Sequence, residues 1–224
     1  MWRPMSKVLV LGASGGIGSA LAARFAAQGA DVDRLSRSVD GFDVMDARSV
    51  ATHLAGRGPY DRIVVATGAL EIPGAAPEKT IRGLDPVAMA DQFALNAIGP
   101  ALVLSHAHDL LPRDRAAVMA VLSARVGSVG DNRIGGWISY RSAKAAVNQI
   151  VHTAAIELAR THCEAALVAL HPGTVATAVA EKYLDRHPAV SPQQAAAHLI
   201  AVMDDLTAAQ TGQFFDSSGA VVPW

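Results

Sequence analysis

The chain predicts a single α/β domain built on a doubly wound parallel sheet, and three observations carry that prediction. Short, uniformly apolar runs alternate with longer helical patterns from one end to the other. A glycine-rich turn, Leu11-Gly12-Ala13-Ser14-Gly15-Gly16-Ile17-Gly18, follows the first run and opens the first helical pattern. At 224 residues, 51% hydrophobic and only 17% charged, the chain can bury one sizeable core.

The apolar runs at 7–11, 62–66, 116–122 and 166–170 show no alternation of polar and apolar positions. Strands of that kind need cover on both faces, which a parallel sheet flanked by helices provides. Weaker strands at 31–36 and 41–44 complete the first half of the sheet, and 213–216 adds a last edge strand. Helical patterns occupy 16–28, 47–55, 86–111 and 137–161, so the strand-then-helix unit repeats along the chain. The helices at 87–104 and 137–158 are apolar around most of their circumference. An outer-layer helix needs one apolar stripe, so a second one predicts a further buried surface and a homodimer or homotetramer.

Composition excludes several function classes. A net charge of -1 leaves no electrostatic footprint for nucleic acid or an anionic membrane. The single cysteine, Cys163, cannot form an internal disulfide, which points to a reducing compartment; it reads as a small buried hydrophobe. The apolar run after Lys7 stops at Gly12, too short for a signal core, and a cytoplasmic location is expected. His106 and His108 stand two apart on a predicted helix and face different directions, so no metal site is expected.

The position of the glycine turn, after a strand and before a helix, is what a dinucleotide-binding turn requires. Gly12 permits the tight turn, Gly16 lets the backbone approach a pyrophosphate, and Gly18 allows helix to pack on strand. Gly12, Ser14, Gly15, Gly16, Ile17 and Gly18 are the candidate binding set, with the positive end of the helix toward the anion. A NAD-selective site places a carboxylate about twenty residues on, whereas an Arg accommodates a 2′-phosphate. Here the second strand ends in Leu35-Ser36-Arg37-Ser38, and Asp33 comes three to four residues too early. NADP is therefore favoured over NAD, with Arg37 as phosphate partner and Ser36 or Ser38 as donors. Asp46 is a candidate acceptor for the adenine amino group and equally a helix N-cap.

Tyr140 and Lys144 lie four apart on a predicted helix, one turn from each other on one face. A free phenol, with a pKa of roughly 10, is a poor acid near neutrality. A cation about 4 Å away contributes on the order of 4 kcal/mol at an effective dielectric near 20, enough to lower that value by two or three units.

The turn, the Tyr-x-x-x-Lys helix, Asn96 in Leu95-Asn96-Ala97-Ile98-Gly99 and His171-Pro172-Gly173-Thr174-Val175-Ala176-Thr177 occur together in one order. In that order the chain resembles the short-chain dehydrogenase/reductase family over essentially its whole length. The stretch 127–148 and the ending Val222-Pro223-Trp224 are similar, more narrowly, to its C-factor and sniffer-like branch. The resemblance implies a Rossmann-type domain that interconverts a small carbonyl compound and its alcohol with a nicotinamide cofactor. It makes Tyr140 the proton donor, Lys144 its electrostatic partner and ribose ligand, and Asn96 the keeper of a water-linked relay. Ala66, Thr67 and Gly68 would line the cofactor, and Pro172, Gly173, Thr174 and Thr177 would position its carboxamide.

Three positions depart from the family pattern. Leu11 stands where a Thr hydroxyl ties the turn, and Val65-Ala66-Thr67-Gly68 replaces Asn-Asn-Ala-Gly. The substrate-orienting Ser, three residues before Gly127, is Ala124. Ser123 is the first substitute and Ser128 the second; loss of one such donor costs roughly 10²–10³ in rate. That departure motivates a rival expectation, a nucleotide-binding regulatory or signalling protein with little turnover. The loop at 71–84 is a lid over the substrate or equally a mobile surface connection, 178–192 is the second expected substrate flap, and their low charge favours a neutral compound.

Overall fold

The computed structural model describes residues 6–176 and 189–224. The element order is β1 (Lys7–Leu11), α1 (Gly16–Ala27), β2 (Asp31–Leu35), a one-turn α2 (Arg37–Asp40), α3 (Ala47–Leu54) and β3 (Arg62–Val65). Then come α4 (Pro86–Phe93), a π-helical turn (Ala94–Ile98), α5 (Gly99–Leu104), α6 (Ala107–Leu110) and β4 (Ala117–Leu122). The chain ends with α7 (Ile138–Leu158), β5 (Ala165–His171), α8 (Pro192–Asp205) and β6 (Phe214–Asp216). The strands form one all-parallel sheet in the order β2-β1-β3-β4-β5-β6.

Alternation along the central strands sorts their side chains onto two cores. Leu9, Leu11, Met119, Val121 and Leu167 face a cluster completed by Val103 of α5 and Val147 and Val151 of α7. Val8, Val10, Val118, Val168 and Leu170 face the opposite cluster, where α1 and α8 pack together through Leu21, Phe25, Leu199 and Met203. These side chains are buried, and each contributes about 1.5–3 kcal/mol relative to exposure, so the apolar runs themselves hold the layers together.

Residues 41–44 do not form the expected strand. Gly41 turns the chain with φ of 73°, the Asp43 N–H donates to Ser49 Oγ at 3.0 Å, and the Met45 N–H donates to Asp43 Oδ1 at 3.0 Å. Local acceptors thus take the donors that a ladder to β2 would have used, and β2 becomes the sheet edge. Phe42 and Val44 are still buried, Val44 against α5, where a Cβ on Gly99 would stand 3.0 Å from it.

The helix expected at 86–111 is broken. Asp85 caps α4 by accepting from the Val87 N–H at 2.9 Å, with Pro86 in the first turn. Pro100 has no N–H for the Asn96 carbonyl, and the chain passes this mismatch as the π-helical turn. Among the described residues, Pro86–Leu104 is the one helical stretch long and apolar enough to cross a bilayer. Here it buries Gln92 and Asn96 inside the fold and packs on α7, as a core helix does.

Helix α8, which the periodicity had not marked, carries a full capping box: Gln194 N–H to Ser191 Oγ at 3.2 Å and Ser191 N–H to Gln194 Oε1 at 2.9 Å. Cys163 is exposed, contrary to the buried position expected of it.

Candidate active site

The glycine turn leaves the C-terminal end of β1, which is flanked by β2 on one side and β3 on the other, so the strand order reverses there. Open parallel sheets bind ligands at such a switch point. Gly12, at φ of 85°, lies so close to the end of β3 that a Cβ there would stand 2.8 Å from the Ala66 carbonyl oxygen. A Cβ on Gly18 would stand 2.2 Å from the Gly12 carbonyl oxygen, so α1 can start against its own turn only with glycine there. Gly15 is the N-cap and supplies no side chain, and Ser14, Gly15 and Gly16 are exposed. The first-turn N–H groups of α1 thus lack a side-chain cap and face the position where an anion would sit. Ile17 is half-buried against the α1 and α8 core and anchors the turn.

At the ribose end, Ser36 is buried and gives both its N–H and its hydroxyl to Asp40 Oδ2, at 2.8 and 3.2 Å. Arg37 is exposed and forms no ion pair among the described residues. Asp33 accepts the Tyr60 hydroxyl and pairs with Arg57 at 3.6 Å, so it is engaged elsewhere. Asp46 accepts from the Arg48 N–H at 2.9 Å and caps α3.

The third part of the site is a buried polar knot. Lys144 is 3% exposed and donates from Nζ to the Leu122 carbonyl at the end of β4, at 3.0 Å. Gly127 makes this approach possible, since a Cβ there would stand 2.7 Å from the backbone of Lys144. A Cβ on Gly68, after β3, would stand 2.7 Å from Asn96 Oδ1 and 3.2 Å from Lys144 Nζ. Asn96 accepts from the Ala69 N–H at 3.2 Å and donates to the Ala69 carbonyl at 2.9 Å and to Gln92 Oε1 at 2.6 Å. Gln92 in turn donates to the Leu70 carbonyl at 2.7 Å. Sequence reasoning missed Gln92, although a polar residue one turn before Asn96 in an apolar helix was a usable signal. Thr67 Oγ1 is buried without a partner, as expected of a group that awaits one from a ligand.

Tyr140 is half-buried, with Lys144 Nζ 5.8 Å from its ring centroid. Burial pushes its phenol above the ordinary 10, and burial also pushes the Lys144 ammonium down, to about 8. This reverses the lowering of the phenol expected from the pair. The ammonium is spent on the Leu122 carbonyl, and desolvation outweighs attraction. At neutral pH the phenol holds its proton and the ammonium keeps most of its charge.

Neither substitute serine reaches this knot. Ser123, just past the end of β4, is buried, and its hydroxyl donates to Asn148 Oδ1 on α7 at 2.6 Å. Ser128 donates to the Pro223 carbonyl at 2.5 Å. At the end of β5, Gly173 turns the chain with φ of 81°, Pro172 and Thr174 follow half-buried, and the Thr174 carbonyl accepts from the Val190 N–H at 3.0 Å. Thr177 and most of the 178–192 flap lie outside the described residues. His171, which sequence reasoning did not assign, is largely buried with Nδ1 unpartnered, and burial, with Arg125 nearby, pushes its pKa to about 4. No group of three metal-ligating side chains exists among the described residues.

The sequence pattern of the short chain dehydrogenases matches residues 42–187. The 1-hydroxy-2-glutathionyl-2-methyl-3-butene dehydrogenase of Rhodococcus sp. (strain AD45) is 31% identical over 98% of this chain and 100% of its own length. Among solved structures, a short-chain dehydrogenase/reductase from Burkholderia multivorans with bound NADP superimposes with a TM-score of 0.79 at 25% identity, covering 99% of this chain and 100% of the other. A carbonyl reductase from Pseudomonas aeruginosa PAO1 gives a TM-score of 0.80 at 25% identity, covering 98% and 100%.

Proposed function

The chain belongs to the short-chain dehydrogenase/reductase family of nicotinamide-dependent oxidoreductases, and on that premise we propose that it is an NADP(H)-dependent reductase of small neutral carbonyl compounds, with Tyr140 as proton donor. The observation that carries this reading is the convergence of Asn96 Oδ1 and Lys144 Nζ on Gly68, with Tyr140 one helical turn from Lys144. The cofactor, when bound, supplies the hydride; the chain supplies orientation and a proton. The uncapped turn at Gly12–Gly18 would hold the pyrophosphate, Thr67 and Gly68 would line the nicotinamide ribose, and the ammonium of Lys144, with donors beyond the one given to Leu122, would serve that ribose. Tyr140, neutral at pH 7, would give its proton to the carbonyl oxygen, with Lys144, held by the Leu122 carbonyl, one helical turn away. A cytoplasmic location belongs to the same reading.

The first experiment is oxidation of NADPH and NADH with a panel of ketones, aldehydes and diketones, run beside Tyr140→Phe. Because the Rhodococcus relative is named for a glutathionyl-bearing alcohol, such thioether alcohols belong in the panel in the oxidative direction. Turnover that prefers NADPH and falls at least a hundredfold in the variant supports the reading; turnover indifferent to Tyr140 removes it. A second reading, a cofactor-binding regulatory protein with little turnover, is favoured by Ala124 and by the commitment of Ser123 and Ser128 to other partners. Tight cofactor binding without turnover across the panel would select it.

A further inference from the structure

Tyr140 stands in the first turn of α7, and the first turn of a helix frays unless its N–H groups are capped. The residue at the N-cap position, Trp137, cannot cap it. Trp137 is the only non-glycine residue with positive φ among the described residues, at φ 52° and ψ 40°, whereas a capping residue is extended. Its indole also carries no acceptor. The cap comes instead from Glu78, 61 residues earlier in the 71–84 loop. Ser139 donates its hydroxyl to Glu78 Oε1 and its N–H to Glu78 Oε2, at 3.4 Å, and the Trp137 N–H donates to the Glu78 carbonyl at 2.6 Å. Ser139 is 2% exposed and Glu78 half-buried, so these bonds are sheltered from water. Gly136 turns the chain here with φ of 69°, a conformation that favours glycine, and a Cβ there would make ordinary contact with the Lys79 carbonyl oxygen at 3.6 Å.

We propose that Glu78 is a positioning residue for Tyr140, and that the loop carrying it is a working part of the active site rather than only a cover over it. The carboxylate holds Ser139, the residue before Tyr140, through its N–H and its hydroxyl, and offers its charge to the positive end of α7. The direction in which the phenol points therefore depends on the loop being seated. A misplacement of about 1 Å at a reacting group costs up to roughly a hundredfold in rate, so loss of this one contact reaches the chemistry without touching substrate or cofactor. The inference rests on Tyr140 being the proton donor.

The test compares Glu78→Ala, Glu78→Gln and Tyr140→Phe with the full chain, using NADPH and whichever carbonyl of the panel is turned over. It is paired with amide hydrogen exchange of the segment 137–142, which needs no turnover. Glu78→Ala is expected to lower kcat about 10- to 100-fold while NADPH affinity and the carbonyl KM stay within about threefold. Exchange at 137–142 should rise at least about tenfold, with the remainder of α7 unchanged. Glu78→Gln keeps an oxygen to accept from the Ser139 hydroxyl and should restore most of both losses. Unchanged exchange at 137–142, or a raised KM with kcat intact, would overturn the proposal. Faster exchange in Glu78→Ala together with undiminished turnover in Tyr140→Phe would keep the cap and discard the proton-donor assignment, which separates the two.

Discussion

At the scale of single residues, cofactor choice and pH response are the decisive matters. Arg37 is exposed and unpaired among the described residues, while the Ser36 donors beside it are held by Asp40. A 2′-phosphate would therefore meet one cation and a carboxylate that competes for the donors. Arg37→Ala should weaken NADPH binding by roughly 1–3 kcal/mol and leave NADH nearly unchanged, as read by fluorescence titration; equal losses would remove the 2′-phosphate assignment. His171 carries a stability effect. Its folded pKa near 4 lies below the ordinary 6.5, so between those values the unfolded chain binds more protons and stability rises with pH. Acidification from pH 7 to 4.5 should cost the native protein about 2 kcal/mol through this residue, and urea unfolding of His171→Asn should show a correspondingly smaller loss. Tyr140, Lys144 and the glycines were legible as candidates because their spacing is local, and Asn96 because of the family resemblance. The fate of Ser123 was not, because its partner Asn148 lies 25 residues away on α7.

At the scale of elements, the glycine turn shows how tightly chain path and chemistry are joined. Gly18→Ala places a Cβ 2.2 Å from a backbone oxygen that no side-chain rotation can move. Helix α1 would have to lift from its turn, at a cost of about 3 kcal/mol, and NADPH binding should be lost or reduced at least tenfold. Chemical denaturation and cofactor titration check the two halves separately. The central strands were readable because they are buried on both faces. Residues 41–44 carry the apolar alternation of a strand but spend their donors on Ser49 and Asp43, a competition between side chain and ladder that periodicity does not register. Helix α8 was readable in principle from Ser191-Pro192-Gln193-Gln194, a capping box visible without any tertiary contact.

At the scale of the whole molecule, the second apolar stripe on the long helices remains on the surface. Val87 is 68% and Ile98 52% exposed on this stretch. We expect self-association through this surface; light scattering of the native protein and of a Val87→Glu, Ile98→Glu double variant should give an oligomer and a monomer respectively. A native monomer at micromolar concentration would reject it. The sequence by itself determined the parallel α/β class and the glycine turn between strand and helix, and it marked Tyr140 and Lys144 as candidates by their spacing and Asn96 by the family resemblance. The class and the turn follow from short-range spacing and from apolar runs whose burial outweighs other terms. Only the tertiary structure decided which serines are spent elsewhere, that burial holds the Tyr140 phenol protonated against the pull of Lys144, and that Glu78 reaches the first turn of α7. Those outcomes depend on desolvation and on contacts between segments 25 to 95 residues apart, quantities that no local pattern encodes.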